Sequence, residues 1–314
     1  MLKKKKLSIV TTLYKSSEYV DEFYERISKE AQKITDNYEI IFVDDGSPDD
    51  SLQKCIKLHK QDSKVKIIEL SRNFGHHKAI MTGLSDAQGD FVFLIDSDLE
   101  EEPELLSEFW HVLQEDNELD LVYGVQGKRR GGFVEKLGGY FYYKFFNSLS
   151  SVKISRNFLT IRLMRKFFVE NLVSFKEREV VFSIINSLAG FKSQEHLTKK
   201  LTHSPSTYSL RMKLRLLLET IVSATPKPLW MVFNLGLIIT TITLVYIFFL
   251  IYGKFVNDSI VDGWTSVMVL ISFFGGLIIF ILGVIGLYLS KIFIEVKERP
   301  YSIIRRKYVR GLVE

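Results

Sequence analysis

Apolar residues along the first part of this chain follow two alternating rhythms. Leu7 to Leu13, Tyr38 to Val43, Val65 to Leu70 and Phe91 to Ile95 are short runs rich in β-branched and aromatic residues, as buried strands are. Between them the period becomes helical. Val20, Phe23, Ile27, Ala31 and Ile34 form one stripe, Leu52, Cys55, Ile56 and His59 a second, and the segment from about Lys78 to Gln88 a third. A helix beginning near Pro103 and a strand from Leu119 to Val125 continue the series. Strands alternating with single helices predict right-handed crossovers and an α/β fold, a mostly parallel sheet with helices on both faces.

The pattern changes after about residue 225. Leu229 to Tyr252 contains no charged residue, and neither does Trp264 to Ser290. Each exceeds the roughly 20 residues that span a bilayer, and neither shows the polar face of a helix in a soluble domain. Two transmembrane helices are therefore expected at about 229–252 and 264–290, joined by a short loop. Tyr208 to Thr225, within 208–228, carries Leu210, Leu214, Leu217, Leu218, Ile221 and Val222 on one side, with Arg211, Lys213 and Arg215 at its start. That pattern suits an amphipathic helix lying in the headgroup region. The expected organisation is a globular domain over 1–207, the interfacial helix, the membrane pair over 229–290 and a basic tail over 291–314.

Charge orients this arrangement. Arg211, Lys213, Arg215 and Lys227 precede the first span, and Lys291, Lys297, Arg299, Arg305, Arg306, Lys307 and Arg310 follow the second. The connection from Gly253 to Gly263 holds one Lys and two Asp. The positive-inside rule places the globular domain and both termini in the cytoplasm. The net charge of +5 sits largely on these flanks, so it points to anionic lipid rather than nucleic acid. A lone cysteine, Cys55, excludes an internal disulfide and suits a reducing compartment. The basic start Met1 to Lys6 precedes an apolar run broken at Tyr14-Lys15, too short for a signal peptide and better read as the first strand.

Candidate chemistry gathers where strands end. Phe91 to Ile95 runs into Asp96-Ser97-Asp98, two carboxylates one residue apart that an extended backbone would project to the same side. Tyr38 to Val43 runs into Asp44-Asp45-Gly46-Ser47. Ligands of open α/β sheets bind beyond the carboxyl ends of strands, which is where both clusters fall. Paired hard oxygen ligands there suit Mg²⁺ or Mn²⁺ bridging phosphates. Either cluster by itself could be a plain solvated turn; their recurrence favours a binding site.

The ordered series of a strand ending at Tyr14, Val43-Asp44-Asp45-Gly46-Ser47, Ser71-Arg72-Asn73-Phe74-Gly75-His76, Gly89-Asp90 and Asp96-Ser97-Asp98-Leu99 resembles glycosyltransferase family two, with its GT-A Rossmann-like fold. The branch it most resembles is the polyprenyl-phosphate glycosyltransferases of the dolichol-phosphate mannose synthase and bacterial bactoprenol glucosyltransferase type. The likeness extends to the C-terminal Glu295, Arg299-Pro300-Tyr301. It implies an inverting, metal-dependent hexosyltransferase using a nucleotide-sugar donor and a polyprenyl phosphate acceptor in the lipid bilayer, at the cytoplasmic side of a bacterial inner membrane, working as a homo-oligomer and by resemblance a tetramer. Asp96 and Asp98 would hold the Mg²⁺ or Mn²⁺. Thr12, Tyr14, Asp44, Asp45, Arg72, Asn73 and Ser97 would meet the nucleotide. Arg162 and Arg178 match positive positions on the acceptor side. Arg129 and Arg130, in the glycine-rich loop Gly124 to Gly132, fit either a phosphate-binding lid or a solvated loop. His76 and His77 invite a metal reading, but this turn of the family accommodates histidine without ligation.

The chain departs from the family in places. Thr12, Lys15 and Ser16 replace the usual Pro, Asn and Glu around the first tyrosine, and Leu159-Thr160 replaces a Gly-Asp pair before Ile161-Arg162-Leu163. The later Gly-x-Ser-Lys-Tyr becomes Ser204-Pro205-Ser206-Thr207-Tyr208. Losing an Asp would threaten a reaction that needs a base, but a lipid phosphate is mostly dianionic at neutral pH, with a second pKa near ~6. A transferase extending a sugar hydroxyl would need a base, with Glu177 or Glu179 available, and would carry a Gln-x-x-Arg-Trp motif; no Trp lies between Trp110 and Trp230. A catalytically silent scaffold would have no need of intact Asp96 and Asp98.

Overall fold

The computed structural model describes residues 5–126, 158–175, 190–199, 227–256, 263–309 and 312–313. These form β1 (Leu7–Leu13), α1 (Val20–Ile34), β2 (Tyr38–Asp44), α2 (Ser51–Gln61), β3 (Val65–Leu70), α3 (His76–Asp86), β4 (Phe91–Leu94), α4 (Leu105–Glu115), β5 (Leu121–Gln126), β6 (Phe158–Arg165), α5 (Lys166–Ser174), β7 (Ser193–Thr198), α6 (Lys227–Val256), α7 (Trp264–Val296), β8 (Ile304–Val309) and β9 (Leu312–Val313). Contacts divide the chain into two units, one holding the sheet with the segment from Arg299, the other holding α6 and α7.

The strands make one sheet in the order β7-β5-β6-β4-β1-β2-β3-β8-β9. Its centre, β4-β1-β2-β3, is parallel, as the alternation of strand and helix predicts. Alternate residues of each strand feed opposite cores. Leu7, Ile9, Leu13, Ile40, Phe42, Ile67 and Phe93 pack with α1, α2 and α4 on one face. Val10, Ile41, Val43, Ile68, Val92 and Leu94 pack with α3 and α5 on the other. The α1 stripe is explicit: Val20, Phe23, Ile27 and Ala31 have no exposed surface, and burying each larger side chain contributes about 1.5–3 kcal/mol.

Four strands are not evident from the pattern, the two-residue β9 among them. β6 inserts antiparallel between β4 and β5, pairing Leu94 with Arg162 and Tyr123 with Arg162. β7 adds parallel to β5. The third is β8, which pairs antiparallel with β3 and brings the segment after α7 back into the sheet. The tail beyond Lys291 thus carries more structure than its basic composition suggests.

α7 includes Phe273–Val296, 24 residues with mean hydropathy 2.5, long and apolar enough to cross a membrane. It is the one such helix found among the described residues; the Lys227–Ile239 part of α6 counts as a shorter apolar helix. The proposed interfacial helix and the acceptor-side candidates Arg129, Arg130 and Arg178 lie outside the described residues.

Candidate active site

Four adjacent parallel strands deliver the acidic and polar candidates to one edge of the sheet. Two backbone devices shape that edge. Gly46 has φ +64°, and a Cβ there would lie 2.6 Å from Asn73 N and 2.7 Å from the Arg72 carbonyl carbon. The glycine of the Asp-Asp-Gly-Ser turn is therefore required by close backbone approach to the Arg72-Asn73 loop. Lys15 and Leu99 both carry positive φ, 57° and 56°, immediately after Tyr14 and Asp98. Left-handed backbone at two non-glycine residues beside a ligand edge is the kind of strain found at functional sites.

Asp45 holds the next loop. Its carboxylate accepts from Phe74 N at 2.7 Å and Gly75 N at 3.0 Å. These bonds fix the turn that presents Arg72 and Asn73, both exposed. The Arg72 guanidinium lies over the Phe74 ring at 4.2 Å and donates to the Asn73 carbonyl. Burial raises the Asp45 carboxyl above the usual carboxylate range, opposed by those two amides. Asp44 is 2% exposed and accepts from Ser47 N at 3.3 Å. Burial pushes its pKa up to about 6, and the neighbouring carboxylates of Glu69 and Asp45 add to the rise.

The other half of the site joins β1 to the Asp96-Ser97-Asp98 turn. Ser97 is buried and donates to the Thr12 carbonyl at 2.8 Å, locking the ends of β1 and β4 together. Asp98 accepts from Glu100 N at 3.0 Å, a bond that closes the turn. Asp96 Oδ1 is buried and accepts no hydrogen bond from the described residues. It lies 3.4 Å from His76 Nε2, while His76 Nδ1 is 3.1 Å from Thr12 Oγ1. His76, the first residue of α3, therefore bridges two site elements, a role that the motif around it does not assign. Its place directly after the β3 loop, at the same edge as both acidic clusters, is the signal the sequence offers. Tyr14 is half-exposed beside them.

Arg162 occupies an unexpected place. It is fully buried, its Nε and Nη2 donate to the carbonyls of Thr160 and Leu159, and its guanidinium lies 4.5 Å over Phe158. Burial lowers its pKa, and the charges of Asp96 and Glu101 oppose that. An arginine so placed brings its charge within reach of the Asp96 and Glu101 carboxylates.

Among the described residues no group of three His, Cys, Asp or Glu side chains converges tightly enough to hold a metal unaided. Two carboxylates in one turn, one of them with a buried oxygen that no described residue bonds, match a different kind of site. Mg²⁺-type ions are usually held by one or two carboxylates together with substrate phosphates and water.

The glycosyl transferase family 2 profile matches residues 8–173, so the chain belongs to that family. A putative glycosyltransferase of Mycobacterium tuberculosis is 44% identical over 303 residues, covering 96% of this chain and 88% of that protein. The SfII prophage-derived bactoprenol glucosyl transferase of Shigella flexneri is 30% identical over 305 residues, covering 96% of this chain and 98% of its own. Glucosyl-3-phosphoglycerate synthase from M. tuberculosis, solved with Mn²⁺, uridine diphosphate and phosphoglyceric acid, superposes with a TM-score of 0.50 at 18% identity, covering 70% of this chain and 78% of that one. The fold is GT-A-like.

Proposed function

We propose that this chain is an inverting hexosyltransferase that moves a sugar from a nucleoside diphosphate to the phosphate of a membrane polyprenyl phosphate, at the cytoplasmic face of a bacterial inner membrane. The observation that carries this reading is the placement of Asp96 and Asp98 at the carboxyl edge of the central parallel strands, in a chain similar over nearly its whole length to a bactoprenol glucosyl transferase. Asp44 and the Arg72-Asn73 loop lie across the same edge, where they would take the nucleoside. Asp98 with Asp96 would hold Mg²⁺ or Mn²⁺ against the donor diphosphate, and the ion would neutralise charge on the departing nucleotide.

The chemistry asks little more of the protein. An oxygen of the lipid phosphate forms the new bond to the anomeric carbon, and the bond from that carbon to the diphosphate breaks with its electron pair. The attacking dianion surrenders no proton, so Thr160 in place of the family aspartate is compatible with catalysis. The chain's own contribution is orientation: Ser97 and Asp45 fix the two loops that would flank the reacting bond, and buried Arg162 keeps its charge in electrostatic reach of Asp96.

Membrane placement has support in the topology. β8 belongs to the same sheet as β1 to β7 although α6 and α7 intervene. A chain that leaves a sheet and returns to it crosses a bilayer an even number of times. Crossings by both α6 and α7 would satisfy that count. α6 has 30 residues, about 45 Å at 1.5 Å per residue, enough to span.

A single in-line displacement inverts the anomeric carbon. Nuclear magnetic resonance of the lipid-linked sugar should therefore show the anomeric configuration opposite to that of the donor. Retention would require a covalent intermediate and would overturn this mechanism.

A further inference from the structure

The segment that follows the second long helix reaches the nucleotide side of the site. Ser71 N donates to the Ile303 carbonyl at 2.9 Å, so the residue just before β8 is tied to the start of the loop that carries Arg72 and Asn73. Ser302 Oγ is 2.7 Å from Thr82 Oγ1 on α3, and Lys307 Nζ bonds Asp86 at 2.6 Å. Tyr301 packs against the core face formed by α3. Tyr308, 8% exposed, donates its hydroxyl to Glu69 Oε2 at 3.1 Å, and Arg305 Nη1 lies 3.4 Å from Glu69 Oε1.

Glu69 is the connection. It is 6% exposed on β3 and stands in register with Asp44 on β2 and with Arg306 on β8. Three neighbouring strands thus place a carboxylate pair beside groups supplied by the tail. An anion buried next to another anion raises the cost of both unless something compensates one of them. Here the compensation comes from Arg305 and Tyr308. The charged and titratable groups facing Asp44 are Asp45 on its own turn, Glu69 on β3 and the buried Cys55 thiol on α2. Those facing Glu69 are Asp44, Arg305, Tyr308 and its register partner Arg306.

We propose that the C-terminal strand is a working part of the donor pocket, in which Arg305 and Tyr308 are positioning residues that hold Glu69 and through it keep Asp44 ready to receive the nucleoside. The inference rests on the reading of Asp44 as a nucleoside ligand. It gives the return of the chain from α7 a purpose beyond attachment, because the same strand also pins the Arg72-Asn73 loop through Ile303.

The test uses full-length protein carrying Arg305→Gln with Tyr308→Phe, the latter keeping the ring packed against His59. Donor KM, kcat at saturating donor, and kcat/KM across pH 5 to 8 are measured beside thermal unfolding. Donor KM at pH 7.5 is expected to rise about tenfold with kcat retained, as when a hydrogen bond to a charged group is lost. The acid limb of kcat/KM should move to higher pH, because Glu69 now pushes Asp44 more strongly. An unchanged KM and pH profile would overturn the proposal, as would a kcat loss that merely tracks lowered thermal stability. Asp44→Asn separates the two levels. If that variant takes donor as the parent does, the reading of Asp44 has failed; if it is impaired while the tail variant is not, only the positioning role has failed.

Discussion

Asp98→Asn is expected to lower turnover by about two to three orders of magnitude while leaving thermal unfolding unchanged. The amide oxygen can still accept from Glu100 N, so the turn that places Leu99 in left-handed backbone should survive. What disappears is the one negative charge that Asp98 would turn to the proposed cation and diphosphate. Removing the cation with a chelator should produce a loss of similar size in the parent, and adding Mg²⁺ or Mn²⁺ should restore it. The chelator should have little further effect on the variant. Parent-like turnover by Asp98→Asn, or by the parent in excess chelator, would show that no metal at Asp98 serves the reaction.

The second large effect concerns Asp44 and runs in opposite directions for stability and binding. Its pKa is raised from 3.8 to about 6, mainly by burial. A carboxyl group whose folded-state pKa is raised contributes stability that is full below the unfolded value and lost as pH climbs through the folded one. At pH 7.5 the buried carboxylate therefore costs up to about 3 kcal/mol, because a tenfold change in proton affinity is worth about 1.4 kcal/mol. Asp44→Asn should unfold at a higher temperature than the parent at pH 7.5, and that advantage should vanish by about pH 4, where both side chains are neutral. Donor affinity at pH 7.5 should fall about tenfold to a hundredfold, the worth of a hydrogen bond to a charged group. Thermal unfolding from pH 4 to 8 with donor titrations checks both halves. An unaltered donor affinity would show that Asp44 is a structural residue alone.

The parallel core of the fold was legible because its signals are local. Val20, Phe23, Ile27 and Ala31 form a helical stripe whatever lies around them, and α1 occupies Val20–Ile34. β1 and β3 run over Leu7–Leu13 and Val65–Leu70, the stretches that the apolar runs delimit. α3 starts at His76, earlier than its apolar pattern, because Gly75 at φ +102° ends the preceding loop abruptly. β6 and β8 were illegible for a different reason. Each is placed by partners far away in the sequence, β6 against β4 and β5 and β8 against β3, and local periodicity carries no record of such pairing.

The site divides in the same way. Both acidic clusters announce themselves at strand ends, and the structure brings them to one edge. Three roles depend on contacts that no spacing encodes. Asp45 turns to the amides of Phe74 and Gly75, His76 reaches Asp96 and Thr12, and buried Arg162 turns to the carbonyls of Thr160 and Leu159. Glu69, an ordinary strand residue by its sequence, becomes significant only when β8 closes over it.

The proposed reaction is transfer of a sugar to a lipid phosphate. Its most direct test is mass spectrometry of polyprenyl phosphate after incubation with the purified full-length protein, Mg²⁺ or Mn²⁺, and a panel of nucleotide sugars. One donor is expected to add a single hexose to the lipid phosphate and release its nucleoside diphosphate, with no product from unphosphorylated polyprenol. Transfer to a sugar hydroxyl with none to the lipid phosphate, or no transfer from any donor in the panel, would contradict it.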